Sequence, residues 1–324
     1  MTLIIDTRTE PDRALAHACE TLEAGLPVAI PTETVYGLAA DATNPDAIGR
    51  IYEMKGRPRF NPLICHVADF AMAEQHVSFD PISRQLADAF WPGPLTLILP
   101  LKSGSSVHSL ASAGLDTLGV RMPDGFSRAV IARFGRPLAA PSANTSGKIS
   151  PTSATHVEAD LGDRLALILD AGPADIGLES TIVKVEGDNI RLLRPGGLDV
   201  ADIEKLTGRT VLRAETAGAA IEAPGMLASH YAPGAAVRLD ATDVRAGEAL
   251  IRFGGKPLPG EDKAALVLDL SLSGDLREAA ANLFAYMKQA DASKASTIAF
   301  GSIPHEGLGE AILDRLERAA APRE

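Results

Sequence analysis

At 324 residues the chain is longer than one hydrophobic core usually organises, so two α/β domains are the natural expectation. Its net charge of −11, from 31 basic and 42 acidic residues, argues against a general nucleic-acid coat, which needs a broad basic surface. The start MTLIIDTRTEPDR lacks a basic segment leading into an apolar one, and no run approaches the ~18 apolar residues of a membrane span. The two cysteines, Cys19 and Cys65, form neither a disulfide framework nor a metal-binding spacing, so a cytoplasmic protein is expected.

In chain order, residues 13–25 read as a helix, with Leu15, Ala18 and Leu22 on one face and a stop at Gly25. A strand at 27–30 ends at Pro31 and opens into the polar loop Thr32-Glu33-Thr34. The next helix is punctuated at both ends. Asn44 is a good N-cap, Pro45 suits the first helical position, Gly56 offers a left-handed C-terminal residue and Pro58 forbids continuation. Lys55 therefore falls at a helix end, with Arg57 and Arg59 on the turn beyond it, a common place for a ligand site in an α/β protein. Further strands are expected at 63–67, 95–101, 117–122, 137–140, 165–169 and 181–185, with helices at 81–90, 125–134 and 153–161. Glu186-Gly187-Asp188-Asn189 separates two alternating runs, making 181–194 a hairpin and the sheet mixed.

A helix over 199–207, stopped by Gly208, closes a first domain of residues 1–208. Periodicity then disappears over 209–236, which reads as a linker. Within it APGMLASHYAPG, residues 223–234, carries bulky and polar types that a passive tether would not need, so it is expected to pack on something. Residues 237–324 return to a small α/β pattern, with strands at 249–253, 265–270 and 297–300 and helices at 275–290 and 306–319.

Several standard site chemistries fail for want of their motifs: the chain has no GxxxxGK[ST], GxGxxG, GxSxG, HExxH or CxxC. The polar clusters at strand ends offer another device. Pro141-Ser142-Ala143-Asn144-Thr145-Ser146-Gly147 with Ser150-Pro151-Thr152, then Glu179-Ser180-Thr181 and Arg194-Pro195-Gly196-Gly197, supply short donors that can bind phosphate or carboxylate oxygens. Each cluster alone is equally well a turn. Together with Lys55 and Arg57 they suit the gripping of an anionic substrate. Between Arg121 and Lys148 five cations (Arg121, Arg128, Arg133, Arg136, Lys148) face a single acid, Asp124, which suggests either an anion pocket or ordinary solvated surface. His66, in an apolar strand, reads by itself as a satisfied core histidine, Trp91 as a packing anchor, and Asp6, Asp41 and Asp170 as caps or turn residues.

The ordered segments PTETVYGL, KGRPRFNPL, FWPGPLT, GVRMP, PSANTSGKISPT, ESTIV, RPGG and HYAPG resemble those of the threonylcarbamoyl-AMP synthase family, the YrdC-like enzymes. The likeness is dense over residues 10–234 and, with the second domain, is to the longer two-domain form. It implies a YrdC-like twisted mixed sheet with flanking helices, a linker and a smaller Rossmann-like α/β C-terminal domain. It also implies a reaction of L-threonine, bicarbonate or carbon dioxide, and ATP to threonylcarbamoyl-adenylate and pyrophosphate. Magnesium would enter with ATP, held by the phosphates, and no protein metal ligands are implied. The product would feed a separate tRNA threonylcarbamoyl transferase that modifies the adenosine beside the anticodon.

Matched residue by residue, Lys55, Arg57, Ser142 and Asn144 correspond to the set around the reacting phosphate and carbamate. Thr34, His66, Arg121 and Ser180 correspond to threonine contacts, with Arg121 on its carboxylate. Arg57, Asn61, Thr117, Ser142 or Asn144, Thr152, Arg194 and Tyr231 correspond to ATP contacts, and Tyr231 places the linker over the site as a lid. The chain departs from the family at Ala223-Pro224-Gly225-Met226, where a serine is common, and at Lys184, where an acid is frequent. Two other readings follow from the same fold. One is a structured-RNA or tRNA binder, disfavoured by the acidic total and by aromatics at only 4%. The other is a carbamoyl-transfer module of the hydrogenase-maturation kind, for which the chain lacks the length and the cysteines.

Overall fold

The computed structural model describes residues 2–213, 221–226 and 229–322. Eleven strands form one twisted mixed sheet. From one edge they are β1 (Leu3–Asp6), β8 (Leu167–Asp170), β2 (Val28–Ile30), β3 (Gly37–Asp41), β7 (Leu138–Ala139) and β4 (Ile64–His66). The order continues with β6 (Thr117–Arg121), β5 (Leu95–Pro100), β9 (Thr181–Glu186), β10 (Asn189–Arg194) and β11 (Val211–Arg213). Parallel pairs such as β4 with β6 alternate with antiparallel ones such as β5 with β6. A second sheet of four parallel strands follows: β12 (Ala236–Arg238), β15 (Thr297–Phe300), β13 (Ala249–Arg252) and β14 (Leu266–Asp269).

The Pro45–Lys55 helix forms for the reasons its sequence gives. Asn44 accepts from the Asp46 and Ala47 N–H groups at 2.9 and 3.3 Å, and Ala47, Ile48, Ile51 and Tyr52 are buried against the sheet. At its end Gly56 takes φ 59°, a left-handed conformation that is easiest for glycine, and the Arg57 N–H returns to the Tyr52 carbonyl at 2.9 Å. This cap turns the chain so that Lys55 and Arg57 both face inward. Strand β5, buried over Leu95–Leu99, sits between β6 and β9 at the centre of the main core.

The sequence reading misses β1, β3, β11 and β12 and the Phe70–His76 and Ser109–Ser112 helices. Strand β3, Gly-Leu-Ala-Ala-Asp, is buried throughout and so shows no alternation. Strand β11 lies in the stretch read as linker and β12 straddles its end at Ala236; each has three residues, too few to show a period. Part of that stretch, residues 214–220 and 227–228, lies outside the described residues. Trp91 is the packing anchor expected: it is buried, its ring meets Phe70 and Phe79 at 5.8 and 5.9 Å, and its Nε1 donates to the Leu95 carbonyl at 2.8 Å.

Candidate active site

Strand ends from across the large sheet converge on one cavity of about 50 Å³, covered by Pro224, Gly225, His230 and Tyr231 of the linker. Parallel pairing of β4 with β6 puts His66 directly beside Arg121. On β10 a bulge between Leu192 and Arg194 breaks the alternation. Leu192 packs in the main core, Leu193 in the cluster with Ile64 and Ile98, and Arg194 follows on the cavity side instead of turning back.

Nine of the residues expected at the site line this cavity: Lys55, Arg57, Ser142, Thr34, His66, Arg121, Ser180, Arg194 and Tyr231. Lys55 is fully buried and its Nζ donates to the Ser142 carbonyl at 2.6 Å and to the Asn144 carbonyl. Burial, helped by the neighbouring Arg57 charge, holds its pKa well below that of an ordinary lysine. Arg57 is held by the Asn61 Oδ1 and the Pro62 carbonyl, both at 2.7 Å, and burial lowers its pKa to about 10. Arg194 donates to the Ser180 carbonyl at 2.9 Å and to its Oγ at 3.2 Å.

At the other end Arg121 donates from Nη1 to Thr34 Oγ1 at 2.8 Å and from Nε to the Gly93 carbonyl at 3.1 Å. Its Nη2 lies 2.5 Å from Glu33 Oε1 as an ion pair without an aligned hydrogen bond. The guanidinium thus keeps N–H groups to spare for a further anion. His66 Nδ1, His230 Nδ1 and the Tyr231 hydroxyl have no hydrogen-bond partner among the described residues. Burial drives both imidazoles down to about 3, with Arg121 adding to the effect at His66, so both are neutral at physiological pH. Thr34 and Ser180 bond to arginines or other hydroxyls, which leaves neither paired with a base that could arm it as a nucleophile.

Four expected residues lie off the cavity wall. Asn61 supports Arg57 from behind. Asn144 offers its carbonyl to Lys55 while its amide closes the loop on the Thr145 and Lys148 carbonyls at 2.8 and 2.9 Å. Thr152 lies 3.3 Å from His156 Nδ1, and Thr117 starts β6 opposite Pro100, at the end away from Arg121. The basic island of 121–148 is not a patch. Only Arg121 faces the cavity; Arg136 pairs with Glu23 and Asp41, Lys148 with Asp160, and Arg128 binds the Ala68 carbonyl.

The sequence reading gave no role of their own to two charged residues here: Glu179, although its cluster was singled out, and Arg315, which binds it. Glu179 is buried in the wall, its Oε1 accepting from Ser150 Oγ at 2.5 Å and its Oε2 from Arg315 Nε at 2.9 Å. Burial pushes its pKa up, but Arg315, Arg194 and the Ser150 bond outweigh this and hold the carboxyl below its usual value. An acid among hydroxyls at Glu179-Ser180-Thr181 is the signal that could have marked it. Arg315 comes from the Leu308–Ala320 helix and has no local signal at all. Among the described residues no group of three or more His, Cys, Asp or Glu side chains could hold a metal, and no helix is long and apolar enough to cross a membrane.

Comparison with known proteins agrees with this geometry. Residues 20–196 match the Sua5, YciO and YrdC family model, described as telomere recombination, and residues 198–321 match the threonylcarbamoyl-AMP synthase C-terminal domain. The threonylcarbamoyl-AMP synthase of Bacillus subtilis is 40% identical over 335 residues, which cover 99% of this chain and 96% of the relative. That of Pyrococcus abyssi is 38% identical over 338 residues, 100% of this chain and 99% of the relative. The crystal structure of P. abyssi Sua5 complexed with L-threonine superposes with a TM-score of 0.87 at 36% identity, covering 99% of this chain and 97% of that one. The chain belongs to the threonylcarbamoyl-AMP synthase family, in its two-domain form with a YrdC-like mixed sheet.

Proposed function

We propose that this chain is a nucleotidyltransferase that converts L-threonine, bicarbonate or carbon dioxide, and MgATP into threonylcarbamoyl-AMP and pyrophosphate. The observation that carries the reading is the gathering of four buried cations, Lys55, Arg57, Arg121 and Arg194, from separate segments around one cavity without an armed nucleophile. Such a site suits a reaction in which the substrate itself is the nucleophile. Threonine's amine bonds to the carbon of carbon dioxide and loses a proton to give a carbamate, or to that of bicarbonate with loss of water; a carbamate oxygen then bonds to the α-phosphorus of ATP, and the bond to the β-phosphate breaks to release pyrophosphate. The protein then contributes position and charge.

Arg121, Thr34 and His66 form the threonine end, where the guanidinium can take the carboxylate and neutral His66 can accept a hydrogen bond through Nδ1. Ser180, in the cavity wall, bonds Thr96 and Arg194. Lys55, Arg57 and Arg194 form the phosphate end, with Ser142 beside them. Glu33 and Glu179, the carboxylates of the site, are engaged by Arg121 and Arg315, a donor set that leaves magnesium to be carried by the triphosphate. A cavity of about 50 Å³ holds a few waters. ATP enters only when the His230–Tyr231 segment moves, and its return would exclude water from a labile adenylate.

The two free cysteines suit a reducing cytoplasm. There a tRNA threonylcarbamoyl transferase would consume the product, and tRNA contact by this chain would be indirect. The test is pyrophosphate release by the purified full chain with MgATP, with and without threonine and bicarbonate. Release that needs both supports the assignment; release indifferent to threonine, or none from folded protein, overturns it.

A further inference from the structure

The Leu308–Ala320 helix packs with the C-terminal sheet, yet one of its side chains binds Glu179, a residue of the cavity wall, from behind. Arg315 is fully buried. Its Nε donates to Glu179 Oε2 and its Nη2 to the Pro195 carbonyl, each at 2.9 Å, while Nη1 meets Asp314 Oδ2 at 2.6 Å. Its guanidinium carbon lies 5.1 Å from the centre of the Tyr231 ring, which also stacks on Phe284 at 5.5 Å. Three residues on, the Arg318 carbonyl accepts the His230 N–H at 3.2 Å. One helix of the second domain therefore touches the ESTIV, RPGG and HYAPG segments together.

The Glu179 carboxylate has an alternative partner. It lines the same cavity as Arg194, whose charge helps to hold the Glu179 carboxyl below its usual value. With Arg315 in place, one carboxylate oxygen is bound by that guanidinium and the other by Ser150, while Arg194 is turned to Ser180 and to the Pro224 carbonyl. The space between is left to an incoming anion. Packing here is also tight: a Cβ on Gly196 would lie 2.3 Å from the Glu179 carbonyl oxygen, so this close approach requires glycine.

We infer that Arg315 is a positioning residue for the synthase reaction: it holds the Glu179 carboxylate off the phosphate-binding cations and fixes the His230–Tyr231 turn over the cavity, so the C-terminal domain completes the active site. This rests on the assignment of Lys55, Arg57 and Arg194 to the triphosphate. Without Arg315 the buried carboxylate keeps only the Ser150 hydroxyl, and Arg194, on the same cavity, is a cation that can neutralise it. An Arg194 so engaged is lost to ATP.

The experiment compares full-length wild type with Arg315→Met, Glu179→Gln and the double variant, measuring ATP and threonine affinity by calorimetry, pyrophosphate release and Tm. In Arg315→Met, ATP affinity should fall about tenfold or more, with threonine affinity changed by less than about threefold. Adding Glu179→Gln should restore ATP affinity to within about threefold of the Glu179→Gln single variant, because a neutral amide does not capture Arg194. A fall in Tm with ATP affinity unchanged, or a folded double variant as weak as Arg315→Met, overturns the inference. If Arg315→Met does not fold, Arg315→Lys serves. It keeps the charge but not the fork that reaches Glu179 and Pro195 together, and ATP affinity equal to wild type would refute the role. Wild-type protein that releases no pyrophosphate in response to threonine refutes the proposed function instead, so the two failures are distinguishable.

Discussion

Replacing Lys55 by methionine removes one positive charge from the cavity and keeps most of the side-chain volume. The Ser142 carbonyl, 2.6 Å from Nζ, still accepts the Asn144 N–H at 3.0 Å, whereas the Asn144 carbonyl loses its Lys55 donor, which costs ~1–3 kcal/mol for a buried acceptor left unpaired. Against this, the variant no longer buries a cation that its surroundings disfavour, since burial and Arg57 both press Lys55 toward its neutral form. The two effects oppose, so stability should change by no more than ~2 kcal/mol. Catalysis has no such offset. A unit charge about 4 Å from a phosphate oxygen is worth up to ~4 kcal/mol at an effective dielectric of about 20, and losing one preorganised donor to developing charge typically costs about 10²–10³ in rate. Pyrophosphate release at saturating threonine and bicarbonate should therefore show kcat/KM for ATP lowered about 100- to 1,000-fold. Threonine binding should change little, because Arg121, Thr34 and His66 are untouched. A folded variant within about tenfold of wild type, or one that loses threonine affinity in parallel, would refute the placing of Lys55 on the phosphate side.

Three further outcomes follow from the same geometry. Arg121→Lys cannot serve Thr34, Gly93 and Glu33 at once, so KM for threonine should rise by about 10- to 100-fold while KM for ATP holds, checked by varying each substrate in turn. Tyr231→Phe deletes a buried hydroxyl without a partner among the described residues. Tm without ligand should stay level or rise, by up to ~1 kcal/mol of stability, while ATP affinity falls about tenfold. His66 has its pKa lowered from 6.5 to about 3 by burial and Arg121, so the folded protein keeps it neutral while the unfolded chain takes up a proton below pH 6.5. Stability tied to it is present above pH 6.5 and lost as pH falls toward 3, about 2 kcal/mol by about pH 5. His230 acts in the same direction, and both lose stability above the range where carboxylates such as Glu179 titrate. The drop in Tm between about pH 7 and about pH 5 should be smaller in His66→Gln than in wild type.

What was legible in the sequence is what local physics encodes. The Pro45–Lys55 helix could be read from Asn44 to Gly56 because its cap, its first-turn proline and its left-handed terminus each act within a few residues. The 181–194 hairpin was readable for the same reason. Strand β3 was not, since a strand buried on both faces by small residues has neither alternation nor bulk to betray it. Histidine 66 shows the limit most plainly. From its neighbours it is one polar residue in an apolar strand, and only the pairing of β4 with β6 sets it beside Arg121.

Charge counting along the chain left an anion pocket and ordinary surface equally open for residues 121–148, because sequence proximity does not fix spatial proximity. Of the five cations between 121 and 148, Arg121 alone reaches the cavity, while its true companions, Lys55, Arg57 and Arg194, come from other strand and helix ends. A site made by convergence is visible in sequence only when each arm carries its own marker. Lys55 at a capped helix end, Ser142 after a strand and Arg194 beside a glycine pair all carry one. Arg315 carries none, because the partners that tie it to the cavity wall, Glu179 and Pro195, lie 136 and 120 residues away. A side chain whose role exists only across two domains leaves no periodicity, cap or turn in its own helix. Its complete burial as a charged residue is the first observation that requires an explanation, and the two domains must be seen together to provide it.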